Sequence, residues 1–199
     1  MKVLVAYEFS GIVRDAFIKR GHDAVSCDLL PTEQPGPHIQ GDVLEILDDG
    51  WDMILAFPPC TYLCVSGIRW VGHPKHPNRQ QYQNEAVQFF MSFVNAKTQK
   101  KIIENPVSIM STRYRKPNQI IRPCMFGGDS NKATCLWTEG LDDLKPTNKI
   151  IPSRHISKSG RSWDKWFFDT SLISDLVERS RVRSSTFPGI ADAMAEQWG

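Results

Sequence analysis

Val3 to Ala6 and Met53 to Phe57 are unbroken apolar runs, and each gives way abruptly to a polar or proline-bearing turn. Runs this short, apolar throughout rather than alternating, are what strands buried on both faces look like, and such strands belong to parallel sheets covered by helices. Residues 2–6, 23–27, 52–56 and 101–104 are read as strands on this basis. Between them Ile12, Val13, Ala16 and Phe17 recur at helical spacing, and Ala86, Val87, Phe89, Phe90, Phe93 and Val94 make a broad apolar face over residues 83–96. A β-α-β rhythm follows, which predicts an α/β fold with a Rossmann-like doubly wound sheet. Further on, residues 134–137 read as a strand, 171–178 as a short helix and 190–198 as a terminal amphipathic helix, while 145–166 has no clean period. The chain therefore divides into a core over residues 1–144, a small basic appendage over 145–183, and a segment 184–199 whose helix returns to the core.

At 41% hydrophobic and 23% charged residues the chain can bury a real core, which excludes wholesale disorder. No apolar stretch is long enough to cross a bilayer, and the first residues lack the apolar segment of a secretory signal, so a cytoplasmic protein without a membrane partner is expected. The five cysteines (Cys27, Cys60, Cys64, Cys124, Cys135) are scattered without a Cys-x-x-Cys pair, and neither His73/His76 nor His22/His38 has ligand company. No metal is expected. Charge is unevenly placed: residues 1–99 hold 8 basic and 11 acidic side chains, residues 100–199 hold 16 and 11. The second half is the natural contact for a polyanion.

Phe57-Pro58-Pro59-Cys60 stands directly after a strand, where open α/β sheets present side chains to ligands. Two prolines stiffen the turn that carries the thiol, and a helix opening after it would lower the thiol pKa through its N-terminal amides. Glu104-Asn105-Pro106 ends another strand. A thiol and a carboxylic acid meeting in one pocket can activate a pyrimidine: the sulfur adds at carbon 6 while the acid donates to ring nitrogen 3, so that carbon 5 becomes nucleophilic. Taken singly, a cysteine after a rigid loop also reads as structural, and a strand-end Glu as a cap. The turn from Tyr7 to Gly11, Asp28 at the end of the second strand, and Asp42 after Gly41 occupy places suited to a nucleoside cofactor.

In order, Phe9-Ser10-Gly11, Asp28, Gly41-Asp42, Pro58-Pro59-Cys60 and Glu104-Asn105 resemble the motifs of the DNA cytosine carbon-5 methyltransferases, above all their short bacteriophage-type members. Phe126-Gly127 with Lys132, Thr134 and Leu136-Trp137 looks like a variant of a further segment of that family, and residues 187–191 look like its C-terminal motif. The resemblance implies S-adenosylmethionine as cofactor, held by Phe9, Ser10, Gly11, Asp28, Asp42 and Pro58. It implies Cys60 as nucleophile, Glu104 as the group at ring nitrogen 3, and Pro59, Asn105, Lys132 and Arg69 at the substrate. Val13 and Arg14 stand where the family has glycines, and the long target-recognition region is missing.

DNA is the expected partner, reached by base flipping or as a single strand. Residues 145–166 carry six basic side chains and one acidic one, with Trp163 and Trp166 read either as base-stacking platforms or as a small core. The loop over 62–79 resembles the family's mobile loop. An amino-group methyltransferase would place Asn or Asp where Phe57 stands, and a nicotinamide dehydrogenase would need a Gly-x-Gly-x-x-Gly turn that is absent. Two rivals share the fold: an enzyme modifying pyrimidines in free nucleotides or single strands, and a catalytically silent nucleic-acid binder.

Overall fold

A computed structural model of the chain describes residues 1–199. Strands β1 (Lys2–Ala6), β2 (Asp23–Asp28), β3 (His38–Gln40), β4 (Met53–Ala56), β5 (Lys100–Pro106), β6 (Gln119–Ile121) and β7 (Thr134–Glu139) form one sheet in the order β3-β2-β1-β4-β5-β7-β6. The first five run parallel, and β7 returns antiparallel between β5 and β6. The order reverses between β1 and β4, so the crevice at their carboxyl ends is the switch point at which such sheets bind ligands. The chain is an α/β protein.

Alternation along each strand feeds two cores. Val3, Val5, Met53, Leu55 and Ile102 face α1 (Ile12–Lys19) and α6 (Pro188–Trp198), whereas Leu4, Ala6, Ile54, Ala56 and Ile103 face α2 (Arg79–Asn95). Both faces are covered, which is why β1 from Val3 onward and all of β4 are apolar. The C-terminal helix belongs to the first core through Ile190, Met194 and Trp198, and Gly189 lets it close: a Cβ there would lie 1.9 Å from the Phe126 carbonyl oxygen.

Several local expectations are corrected. β3 and β6 are three-residue strands that the pattern did not mark, and Asp42 stands between β3 and β4. Residues 171–178 are not one helix. α4 (Lys165–Ser171) ends there and α5 (Leu176–Ser184) begins after a break, because Asp175 accepts from the Val177 and Glu178 amides at 2.8 and 3.3 Å and so starts a new helix. Within the aperiodic stretch, β8 (Arg154–Ile156) and β9 (Ser162–Asp164) form a hairpin.

Val13 and Arg14 do not intrude on the crevice. Val13 is core, and Arg14, fully buried, runs beneath the turn to donate to Ser26 Oγ (3.2 Å), Thr32 Oγ1 (3.1 Å) and the Gln34 carbonyl (3.0 Å) while pairing with Asp15 (2.7 Å). Arg14 thus fastens the proline-rich loop to α1. Replacing Arg14 by Ala is expected to remove these donors and empty the fully buried space of the side chain, lowering stability by about 3 kcal/mol, read as a reduced urea midpoint at unchanged slope.

Candidate active site

The carboxyl ends of β1, β2, β4 and β5 open onto one cavity of about 410 Å³. Cys60 and Glu104 both line it, with Pro58 and Pro59 between the two strand ends. The register explains this meeting: Ala56 pairs with Ile103 across β4 and β5, so the segments that carry the thiol and the carboxyl leave adjacent strands side by side. Asn105 has a different task from the one expected. It is fully buried beneath the loop and donates from Nδ2 to the Pro58 carbonyl at 2.8 Å, so it holds the Pro58-Pro59-Cys60 turn in place rather than touching substrate.

No helix opens after Cys60. The Leu63 and Cys64 amides close a single turn on the Cys60 carbonyl at 3.1 and 2.9 Å, and a 3₁₀ turn over Val65–Trp70 follows. The expectation of a thiol pKa lowered by helix amides is therefore overturned. Cys60 is open to the cavity, yet protein crowds its sulfur, and this loss of water raises the thiol pKa; the charges of Glu104 and Cys64 add to the rise and Lys132 opposes it. Glu104 is also raised, by burial first, with Lys132 pulling the other way. A raised carboxyl favours its protonated form, which is the form that donates.

The cofactor candidates divide. Phe9, Ser10, Asp28 and Pro58 line the cavity with Cys60. Gly11 does not; at φ 77° it caps α1, and a Cβ there would sit 2.6 Å from the Arg14 guanidinium. Asp42 accepts from the Leu44 amide at 2.9 Å and lines a neighbouring cavity of about 640 Å³, walled by Val43, Leu44, Tyr82 and Phe89 and sharing Tyr7, Leu29, Pro59 and Thr61 with the first.

Two buried carboxylates at the first cavity are incompletely satisfied. Asp28, 3% exposed, accepts from the Leu30 amide at 2.9 Å with one oxygen and nothing with the other. Glu8, 5% exposed, accepts from Ser10 Oγ and from the Ile12 amide at 3.1 Å with one oxygen, and its second has no partner. Burial raises both pKa values. Such orphaned acceptors need a donor from outside the chain, either water or a bound ligand. Glu8 was not read as a site residue, although an acid in the turn after β1 was the available signal. Tyr7, left-handed at φ 61° and shared by both cavities, was also missed.

Among the expected substrate residues, Pro59 and Lys132 line the cavity and Arg69 does not; Arg69 is exposed, with its guanidinium 5.0 Å over the Trp70 ring. Ser180, Arg183, Ser184, Ser185 and Thr186 supply a further wall, an approach by α5 that sequence spacing gave no sign of. Trp166 packs against Phe187 at 5.3 Å and Trp163 beside His155 and Phe168, so the two indoles sit in separate small aromatic groups. No group of three or more His, Cys, Asp or Glu side chains converges as a metal site, and no helix is long and apolar enough to cross a membrane. No protein-family model matches the chain, and no curated protein matches it.

Proposed function

We propose that this protein is an S-adenosylmethionine-dependent methyltransferase acting on carbon 5 of cytosine in DNA. The observation that carries the reading is the convergence of Cys60, Glu104 and the two orphaned acids Glu8 and Asp28 on one cavity at the switch point of the sheet. The antiparallel β7 between β5 and β6 is compatible with the sheet type that the sequence resemblance implies.

The residues present fit the cofactor. Asp28 would accept from ribose hydroxyls, Glu8 from the ammonium of the amino-acid moiety, and the apolar cavity beside Asp42 would take the adenine. S-adenosylmethionine supplies an electrophilic methyl group when bound. Cys60, as thiolate, forms a bond to carbon 6 of the pyrimidine, and electron density moves toward ring nitrogen 3, where protonated Glu104 neutralises it. Carbon 5 is then nucleophilic. Once it carries the methyl group, its proton passes to solvent, ring nitrogen 3 returns its proton to Glu104, and the Cys60 sulfur leaves as thiolate, which restores the aromatic ring.

Transfer of a tritiated methyl group to duplex DNA, single-stranded DNA and dCMP tests the reading. Incorporation into none of the three, with cofactor bound, would leave a silent binder instead. Action on single strands or free nucleotides is the second reading, favoured by the slightness of residues 145–183, a hairpin and two short helices. Asp28→Asn and Glu8→Gln are each expected to weaken cofactor binding about tenfold, since each removes a charge-assisted hydrogen bond. Titration calorimetry checks this; unchanged affinity in both variants would place the cofactor elsewhere.

A further inference from the structure

Arg183 and Lys132 line the cavity of Cys60 and Glu104, yet neither takes part in any of the chain's ion pairs. On the same helix Arg181 is clamped by Glu33 and Glu178, each at 2.6 Å. Arg183 instead rests on neutral acceptors: Nε donates to the Thr170 hydroxyl at 3.0 Å and Nη2 to the Phe167 carbonyl at 3.2 Å, with the guanidinium 4.3 Å over the Phe167 ring. Those bonds use two of its five N–H groups. Lys132 donates one of its three to the Arg183 carbonyl at 2.9 Å, which ties both cations to one stretch of chain. Burial and the like charge of Arg179 push the Arg183 pKa down, so its positive charge gains from an added anion. The contacts to Thr170 and Phe167 fix the guanidinium in advance, which reduces the ordering that binding requires.

We infer that Arg183 and Lys132 form an oxyanion pocket in this cavity and that it takes the phosphate of the substrate nucleotide. The phosphate is either the monoester of a free nucleotide or the diester beside an extruded cytosine. The inference rests on the reading that the cavity receives cytosine. It adds two cations to a cavity whose acids Glu8 and Asp28 stand at the ends of β1 and β2. The planar fork of Arg183 suits two phosphate oxygens, and Lys132 adds a point charge that also acts on Cys60 and Glu104.

Titration calorimetry in the presence of S-adenosylhomocysteine tests the pocket with dCMP, deoxycytidine, deoxyribose 5-phosphate, a single-stranded oligonucleotide and its duplex. Wild type is expected to bind dCMP or the oligonucleotide at least about tenfold tighter than deoxycytidine, and Arg183→Gln to bring that preference to within about twofold while leaving deoxycytidine affinity unchanged. Lys132→Gln should also reduce the preference for the phosphate-bearing ligands and guards against misfolding of the first variant, whereas Arg179→Gln should retain the preference. Dependence on Arg183 confined to dCMP identifies the monoester, and confined to oligonucleotides the diester. Equal binding of dCMP, oligonucleotide and deoxycytidine by wild type overturns the inference, as does loss of cofactor affinity in Arg183→Gln, which would give the pocket to the cofactor carboxylate. Arg183-dependent binding of deoxyribose 5-phosphate without any gain from cytosine would keep the pocket and refute the cytosine reading.

Discussion

Cys60→Ala is expected to lose methyl transfer by about 10⁴-fold or more while binding S-adenosylmethionine as the wild type does. The sulfur is the only group in the mechanism that forms a bond to the substrate, so no neighbouring side chain substitutes for it. Cys64, one turn on, is positioned by its amide bond to the Cys60 carbonyl and has its thiol against Ser66 Oγ at 3.2 Å, outside the cavity lining. Cofactor affinity should survive because Glu8 and Asp28 leave other strands. Tritium incorporation and titration calorimetry on one preparation read the two halves of the expectation. A cytosine bearing fluorine at carbon 5 sharpens it: with no proton there to lose, the ring cannot expel Cys60, and an intact-protein mass should show the adduct in the wild type and none in Cys60→Ala. Near-normal transfer by Cys60→Ala would end the covalent mechanism.

The parts of this structure that the sequence disclosed are those in which one constraint dominates. β1 and β4 are buried on both faces and could only be apolar runs, so their positions and the loops after them were readable. β3 and β6 are three residues long, too short for a burial pattern to distinguish them from loop. Direction was hidden as well: the antiparallel course of β7 depends on the path of residues 107–133, not on its own composition. Side-chain roles failed where polarity was taken to mean contact with ligand. Asn105 is polar because a buried carbonyl of Pro58 needs a donor, and Arg69, also expected at the substrate, lies over the Trp70 ring and off the cavity. Glu8 is the reverse case, a turn residue whose unpartnered oxygen becomes visible only when the turn is folded. The wall from α5 lies more than a hundred residues beyond Cys60 and has no pattern linking the two.

Glu104→Gln is expected to lower kcat by about 10²–10⁴-fold, since the amide can still donate a hydrogen bond toward ring nitrogen 3 but cannot yield a proton. The pH profile carries more information than the rate. Both the carboxyl and the thiol have pKa values raised by burial, and the reactive form requires the acid protonated and the thiol ionised. That form has the same number of protons as the commoner one in which Glu104 is ionised and Cys60 is neutral. Its fraction is therefore level between the two pKa values, falling below the Glu104 pKa as Cys60 gains a proton and above the Cys60 pKa as Glu104 loses one. In the wild type the acid limb of kcat/KM should stand above the ordinary carboxyl range; in Glu104→Gln that limb should vanish and activity should climb with pH until Cys60 ionises. Stability moves the other way. A carboxyl whose pKa is higher folded than unfolded supports the fold at acid pH and loses that support as pH rises through its folded value. Glu104→Gln should thus match the wild type least favourably in acid and gain on it toward neutral pH, seen as a melting-temperature difference that grows in favour of the variant between acid and neutral buffers. A variant that lost activity but kept the acid limb, or whose relative stability ignored pH, would show that Glu104 does not titrate in the site, and the acid at ring nitrogen 3 would have to be sought elsewhere.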